Sequence, residues 1–301
     1  MRGDIKMASP EEPTLQRIRA LVRRRTESDR RMGYTWMMVP LLPLAAAVTI
    51  GAILLGILGS IITKISNLPQ PSTAQSAIEP VVGGILAVYG LAVIVFLGVS
   101  LLGALSFYYL MDRRNRHFIR QQLLFSTLHR YLASKLPTSE NVAQVGYLSE
   151  DCAYEERTRP AGLWALLFMV LTPIVALIAS YSLTQDLRKH DELQSKYQAA
   201  LTASLVEAGF QQPNFPAYNS RKRDPVLFVI LYAITGGLFW IYWYYTLLKD
   251  YNEHFAEQAK FEDQILRLII PPQVEKRCGT CGGAVPAGAR FCPNCGSQQT
   301  A

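Results

Sequence analysis

Charge is what four stretches of this 301-residue chain lack. Met37 to Ile62, Val81 to Met111, Ala161 to Leu183 and Pro225 to Leu248 contain no Asp, Glu, Lys, Arg or His. Half the residues are hydrophobic and the mean hydropathy is +0.13, too apolar for an ordinary soluble domain. The first two stretches exceed the roughly 20 residues that cross a hydrocarbon layer of about 30 Å. Absence of ionisable groups inside the apolar stretches counts against a transporter, whose pathway needs them. There is no nucleophile–base pair, no phosphate loop and no open metal site, so an enzyme is not expected. The first thirty residues lack the apolar core of a signal peptide. Histidine is scarce, at four residues, and cysteine numbers five.

What is present is a repeated unit. Tyr245-Thr-Leu-Leu-Lys-Asp250-Tyr-Asn-Glu-His254-Phe-Ala-Glu-Gln258-Ala-Lys260-Phe261 aligns without gaps on Tyr181 to Tyr197, which carries Asp186, His190, Gln194 and Lys196 in the same places. A third copy follows Tyr108 with a one-residue shift, and shares Asn115-x-His117-Phe118-x-x-Gln121 with Asn252 to Gln258. Repetition at tens of residues fixes architecture before any local reading does. Each copy is a membrane segment running out into a polar helix.

In chain order, residues 1–31 read as a basic cytosolic arm, partly helical through Leu15, Ile18, Leu21 and Val22. The net charge of +7 is read as positive-inside bias and attraction to anionic lipid, with no nucleic acid expected. Residues 32–136 form a transmembrane hairpin with an amphipathic cytosolic exit helix. Pro40 and Pro43 fall in the first turns of its first helix, and a short link around Pro69 and Pro71 joins the second. Gly83, Gly84, Gly90, Gly98 and Gly103 in the second helix let backbones approach. Residues 137–158 read as a cytosolic loop in which Cys152 is a plain thiol. Residues 159–210 form membrane repeat unit A, 211–222 a linker and 223–272 unit B, whose last helix runs from Lys249 to about Ile270 before Pro271-Pro272.

Each repeat unit is broken at its middle, by Thr172-Pro173 and by Thr235-Gly236-Gly237. Each half is about a dozen residues, or about 18 Å of helix. Two topologies follow: both units are kinked spanning helices, or both dip in and return on the same side. Spanning places Arg188, Lys189, Lys196, Arg221, Lys222 and Arg223 outside with Lys64, and re-entrance leaves only Lys64 there. Both put the N- and C-termini in the cytoplasm. The cluster Phe239-Trp240-Tyr242-Trp243-Tyr244-Tyr245 reads as a membrane-interface belt.

The C-terminus carries two CxxC pairs, Cys278/Cys281 and Cys292/Cys295, within residues 276–297. Four thiolates suit tetrahedral Zn²⁺ and leave no open position. Gly282 and Gly296 directly follow each second cysteine and let the backbone turn its amides toward sulfur. Val285, Pro286 and Phe291 are almost all the core available, so metal binding is the folding energy. The wording Gly-Ala-Arg-Phe-Cys-Pro-Asn-Cys-Gly resembles the short zinc ribbons that end many prokaryotic proteins. Arg223 to Phe261, with Thr-Gly-Gly, Trp-Ile-Tyr-Trp-Tyr-Tyr and Lys-Asp-Tyr-Asn-Glu-His-Phe, resembles an uncharacterised family of prokaryotic membrane domains of unknown function. Members of that family usually have Gly-Ile-Tyr where this chain has Gly-Gly-Leu-Phe. With the copy from Arg159 the resemblance covers about residues 159–270. It implies a membrane-domain fold and no activity.

The histidines admit two readings. Asp186, His190 and Gln194 lie along one helix face, as do Asp250, His254 and Gln258. An Asp one turn before a His can hold the ring by a charge-assisted bond. The plainer reading is a membrane-exit brace, in which His254→Ala lowers stability and leaves metal content alone. The alternative is that these residues and His117 converge into a polar or metal-binding cluster, which His190 joins only if the units are re-entrant. The expected protein is therefore an all-α, multi-pass cell-membrane protein with a C-terminal zinc ribbon. It is expected to serve as a membrane-anchored adaptor or scaffold whose partners are the lipid bilayer and proteins bound by the ribbon and cytosolic helices. An accessory subunit of a transport or channel complex, or a membrane-shaping protein, is the alternative.

Overall fold

The computed structural model describes residues 11–66, 74–216, 223–270, 276–285 and 290–298. The link around Pro69 and Pro71, part of the 211–222 linker, Pro271-Pro272 and Pro286 lie outside the described residues.

The described chain is helical apart from a two-strand pairing at its end. Helix α1, Glu11–Arg23, and the short α2, Arg25–Ser28, come first. Tyr34–Leu41 is a 3₁₀ turn that carries Pro40, and α3, Leu42–Ser66, continues from it. The tighter turn is where the prolines remove helix donors. Helix α4 is a single helix, Ala74–Lys135, so the second membrane helix and the amphipathic exit helix are continuous. Helix α5, Glu140–Glu155, follows, with the Ser139 hydroxyl capping the Val142 amide. Helix α6 is Ala161–Glu207, α7 is Pro225–Ile234 and α8 is Phe239–Ile269. Strand β1, Lys276–Arg277, pairs antiparallel with β2, Ala284–Val285. By length and composition, Tyr34–Thr63, Val82–Lys135 and Ala161–Glu207 are each long and apolar enough to cross a membrane.

Two breaks shape the apolar half. Leu171 leaves helical geometry (φ −125°, ψ 40°) just before Pro173, so α6 is two helices meeting at a kink. Between α7 and α8 the chain turns on Gly236 and Gly237, at φ +60° and +92°, where a side chain would strain the backbone. Threonine closes both breaks. Thr172 Oγ1 donates to the Phe168 carbonyl, and Thr235 Oγ1 donates to the Leu231 carbonyl while accepting from the Phe239 amide.

The consequence is that each unit ends beside where it began. Arg159, just before α6, donates from Nε and Nη2 to both carboxylate oxygens of Asp186 at 2.8 and 2.9 Å. Arg223, just before α7, grips both oxygens of Asp250 in the same way. The separation is 27 residues in each case. Asp186 and Asp250 therefore bind arginines, Arg114 also reaching Asp186, and do not hold the histidine rings as their spacing had implied.

Three further expectations are corrected. Residues 137–158 are mostly helix α5, whose Val142, Val145 and Cys152 are buried in a core shared with α4 and α6. Burial pushes the Cys152 thiol well above its ordinary range, which leaves it an inert core group. Residues 11–31 are no free arm, because Ile18, Leu21 and Val22 of α1 are buried in that same core. The aromatic belt is partly interior. Trp243 and Tyr244 are fully buried, Trp243 donating to Thr184 Oγ1 at 2.8 Å and Tyr244 bonding Ser106. Of the belt, Tyr242 faces outward. Helix α8 accordingly starts at Phe239, ten residues before the last helix was expected.

Candidate functional site

Two groups of metal-ligand residues stand out among the described residues: Cys278, Cys281, Cys292 and Cys295, and His117, His190 and His254. Within each group the ligand atoms lie within 4.8 Å of one another.

The cysteines sit on two matching turns. Gly282 N–H donates to the Cys278 carbonyl and Gly296 N–H to the Cys292 carbonyl, at 2.8 and 2.9 Å. Both glycines take positive φ, +69° and +70°, which explains why glycine occupies both places. The Gly283 amide points at the Cys281 sulfur and the Ser297 amide at the Cys295 sulfur. Cys278 and Cys295 sulfurs are 3.6 Å apart, those of Cys281 and Cys292 3.7 Å. Sulfurs bound to one tetrahedral zinc at about 2.3 Å would lie about 3.8 Å apart, so the set fits a metal ion. Val285 is buried against Cys278 and Cys292, but Phe291 is 59 % exposed and adds little core.

The histidines come from three different helices, α4, α6 and α8, each just past the end of an apolar segment. All three are buried, at 0, 0 and 2 % exposure. His117 Nε2 and His254 Nε2 are 3.1 Å apart. The ring centroids of His190 lie 5.4 Å from His117 and 4.8 Å from His254. The structure thus brings together the three histidines that share a place in the repeat, and the exits carrying them lie at one level.

A carboxylate stands on the outer nitrogen of every ring. Asp29 Oδ1 is 3.0 Å from His117 Nδ1, Glu156 Oε1 is 2.6 Å from His190 Nδ1, and Asp191 Oδ1 is 2.8 Å from His254 Nδ1. None of the three was legible as a ligand partner. Asp29 and Glu156 lie in the segments just before the first membrane helix and unit A, and Asp191 belongs to the neighbouring helix. Arg120 ties Asp29 to Glu262 of α8, with both nitrogen–oxygen distances 2.7 Å. One helical turn beyond the histidines lie Gln121, Gln194 and Gln258, all fully buried. Gln194 bonds Gln258, and Gln258 donates to Glu262 at 3.0 Å.

The asparagines of the repeat act on the backbone. Asn115 takes the Arg159 amide and donates to the Arg159 carbonyl, at 3.0 and 2.6 Å. Asn252 does the same to Met32, at 3.2 and 2.9 Å. Each Asn-x-His therefore clamps another membrane segment where it begins and presents a histidine one half-turn later.

Compared with models of known protein families, with curated proteins and with solved structures, the chain finds no match. The resemblances noted for residues 159–270 and for the C-terminal cysteines rest on sequence wording alone.

Proposed function

We propose that the chain is a membrane-anchored adaptor with two spanning helices and two re-entrant hairpins, holding its polar helices on the cytoplasmic face. The observation behind it is the pair of arginine–aspartate bridges, Arg159–Asp186 and Arg223–Asp250. A helix that crosses the bilayer cannot bring its two ends within 3 Å. A hairpin that dips and returns must. From Pro225 to Ile234 is ten residues, about 15 Å at 1.5 Å per residue, about half the hydrocarbon depth. Apolar residues around the two breaks, Val170, Ile174, Ile234 and Leu238, are exposed, as lipid contact requires. Irregular backbone at that depth must satisfy its own polar groups, which is the task of Thr172 and Thr235.

On this reading the exit helices with α1 and α5 form one cytoplasmic helical body, and a zinc ribbon built on Cys278, Cys281, Cys292 and Cys295 follows on the same side. A module of that size folded by its metal gives a rigid surface for a protein partner. Half-depth hairpins also favour a second reading, in which the wedges in one leaflet bend the membrane.

Topology is tested by impermeant thiol labelling of intact cells, with Gln212→Cys and Ser66→Cys in a background lacking the native cysteines. Labelling at Ser66→Cys with protection at Gln212→Cys is expected. Labelling at both positions would defeat the hairpins. The adaptor is tested by cross-linking in cells: a partner present with the intact chain and lost with Cys281→Ser supports docking at the ribbon. Tubulation of liposomes by the purified chain, with no partner captured, would move the reading to membrane shaping.

A further inference from the structure

We propose that His117, His190 and His254 bind a divalent first-row metal ion of the zinc class, at a second site separate from the four-cysteine site and independent of the adaptor reading.

The argument starts from the outer nitrogens. A carboxylate accepts and cannot donate when ionised. Asp29 and Glu156 are hydrogen-bonded to Nδ1 of His117 and His190, so those nitrogens carry the ring protons and the Nε2 of each neutral ring is left as a lone pair, while Asp191 stands 2.8 Å from Nδ1 of His254. Such a carboxylate–histidine pair is what orients metal-bound imidazoles and raises their basicity. Here it is made at two of the rings from two different segments, with a third carboxylate 2.8 Å from the third ring.

The inner nitrogens then have a problem that an ion solves. His117 Nε2 and His254 Nε2 face each other at 3.1 Å. Two lone pairs at that distance repel unless a proton or a cation lies between them. His190 Nε2 is fully buried and has no hydrogen-bond partner. A buried nitrogen without a partner costs about 1–3 kcal/mol, a loss that native proteins avoid. Nitrogens bound to one tetrahedral zinc at about 2.0–2.1 Å would lie about 3.3 Å apart, close to the 3.1 Å between His117 and His254, and the ligand atoms of all three rings lie within 4.8 Å of one another. A single proton can satisfy one facing pair and would leave His190 unserved. A metal ion serves all three.

Charge agrees. Asp29, Glu156, Asp191 and Glu262 are four carboxylates gathered in the same buried region, and the guanidinium of Arg120 pairs with two of them. Buried charge must be compensated, and a dication on the rings would supply positive charge beside these carboxylates. Imidazole suits zinc, copper, iron and nickel over calcium or magnesium. The three ligands come from the three exit helices, and their carboxylates add the segments after α2 and after α5. The ion would therefore staple the base of every membrane hairpin to the polar helical body.

The test uses the full-length protein in mild detergent, purified through a tag without histidine. Elemental analysis of wild type should give two zinc ions per chain, and Cys281→Ser/Cys292→Ser and His190→Ala should each give one. X-ray absorption of the zinc kept by the cysteine variant should show nitrogen and oxygen neighbours and no sulfur. Glu156→Gln keeps every ligand and loses the orienting charge, so zinc affinity at this site should fall about 10–100-fold; it stands in if His190→Ala aggregates. Wild type with one zinc, bound by sulfur, and a monodisperse cysteine variant that takes up neither added Zn²⁺ nor Co²⁺ would overturn the proposal.

Discussion

Replacing Gly103 by alanine is the sharpest probe of how the apolar half packs. A Cβ built on Gly103 of α4 would stand 2.4 Å from Cε1 and 2.8 Å from Cζ of Phe168 in α6. Carbon atoms in contact sit at about 3.5–4.0 Å, so the ring must retreat by about 1 Å. It has little room. Phe168 is 2 % exposed and stacks on Phe107 at 5.0 Å, and its carbonyl is held by Thr172 at the kink. Overpacking of this kind costs about 1–3 kcal/mol, and we expect about 2 for Gly103→Ala. Gly98 lies on the same helix with nothing within 4 Å of its would-be Cβ. There the better helix propensity of alanine should make Gly98→Ala neutral or stabilising by up to about 1 kcal/mol. Chemical unfolding of both variants in detergent measures the contrast. Phe168→Leu added to Gly103→Ala should recover at least about 1 kcal/mol, since the two sites touch. A neutral Gly103→Ala beside a costly Gly98→Ala would refute this packing of α4 on α6.

Asp250→Asn removes the partner of Arg223 at the foot of α7 and α8; the pair is largely buried, and about 2 kcal/mol of unfolding free energy should go, somewhat under the 3–5 expected for a fully buried pair. Trp243→Phe leaves the Thr184 hydroxyl without its indole donor and vacates part of a fully buried site, so the thermal midpoint should drop by an amount equivalent to about 1–2 kcal/mol; an unchanged midpoint would show that the bond contributes nothing. Ile234→Lys places a charge at the end of α7, where 76 % of the side chain faces outward; if lipid surrounds it, stability in bilayers should fall by about 2–3 kcal/mol, and no change would mean the tip lies in water. Cys281→Ser should cost one zinc per chain and leave the helical transition of the membrane region in place, read by circular dichroism beside elemental analysis.

The sequence announced what depends on local spacing and was silent on what depends on distance. The two CxxC turns were legible because their ligands and glycines are neighbours in the chain, and the four sulfurs do lie together. The three histidines were legible as equivalents because each stands in the same word of the repeat. That they meet was left open, because it turns on whether Asp186 returns to Arg159, a contact across 27 residues that no periodicity encodes. The role given to Asp186 and Asp250 was wrong for a related reason. A spacing of four makes an Asp–His bond possible on a helix face, but a guanidinium forming two bonds at once offers a stronger partner. Asp29 stood in what read as a basic arm and Glu156 in what read as a loop, so neither was weighed as a partner for histidine.

Their positions nevertheless follow a rule that joins the repeat to the site. Met32 and Arg159 are the residues clamped by Asn252 and Asn115, one at the start of each membrane segment. Asp29 lies three residues before Met32, and Glu156 three before Arg159. A clamp at the start of the segment therefore fixes a carboxylate three residues back, against the ring that a helix other than the clamping one presents. The third segment begins at Arg223, and three residues before it stands Ser220, which has no charge to offer. Helix α6 has no Asn two residues before its histidine either, since Arg188 holds that place. The rule is thus incomplete in both later copies, in its carboxylate before Arg223 and in its asparagine on α6. The missing carboxylate is made good from another direction, by Asp191, which follows His190 directly and reaches the ring of His254. Three rings therefore have a carboxylate within 3.0 Å of Nδ1, two by one device and the third by a different one, so the acidic surroundings of the imidazoles are common to the copies and the particular contacts are not.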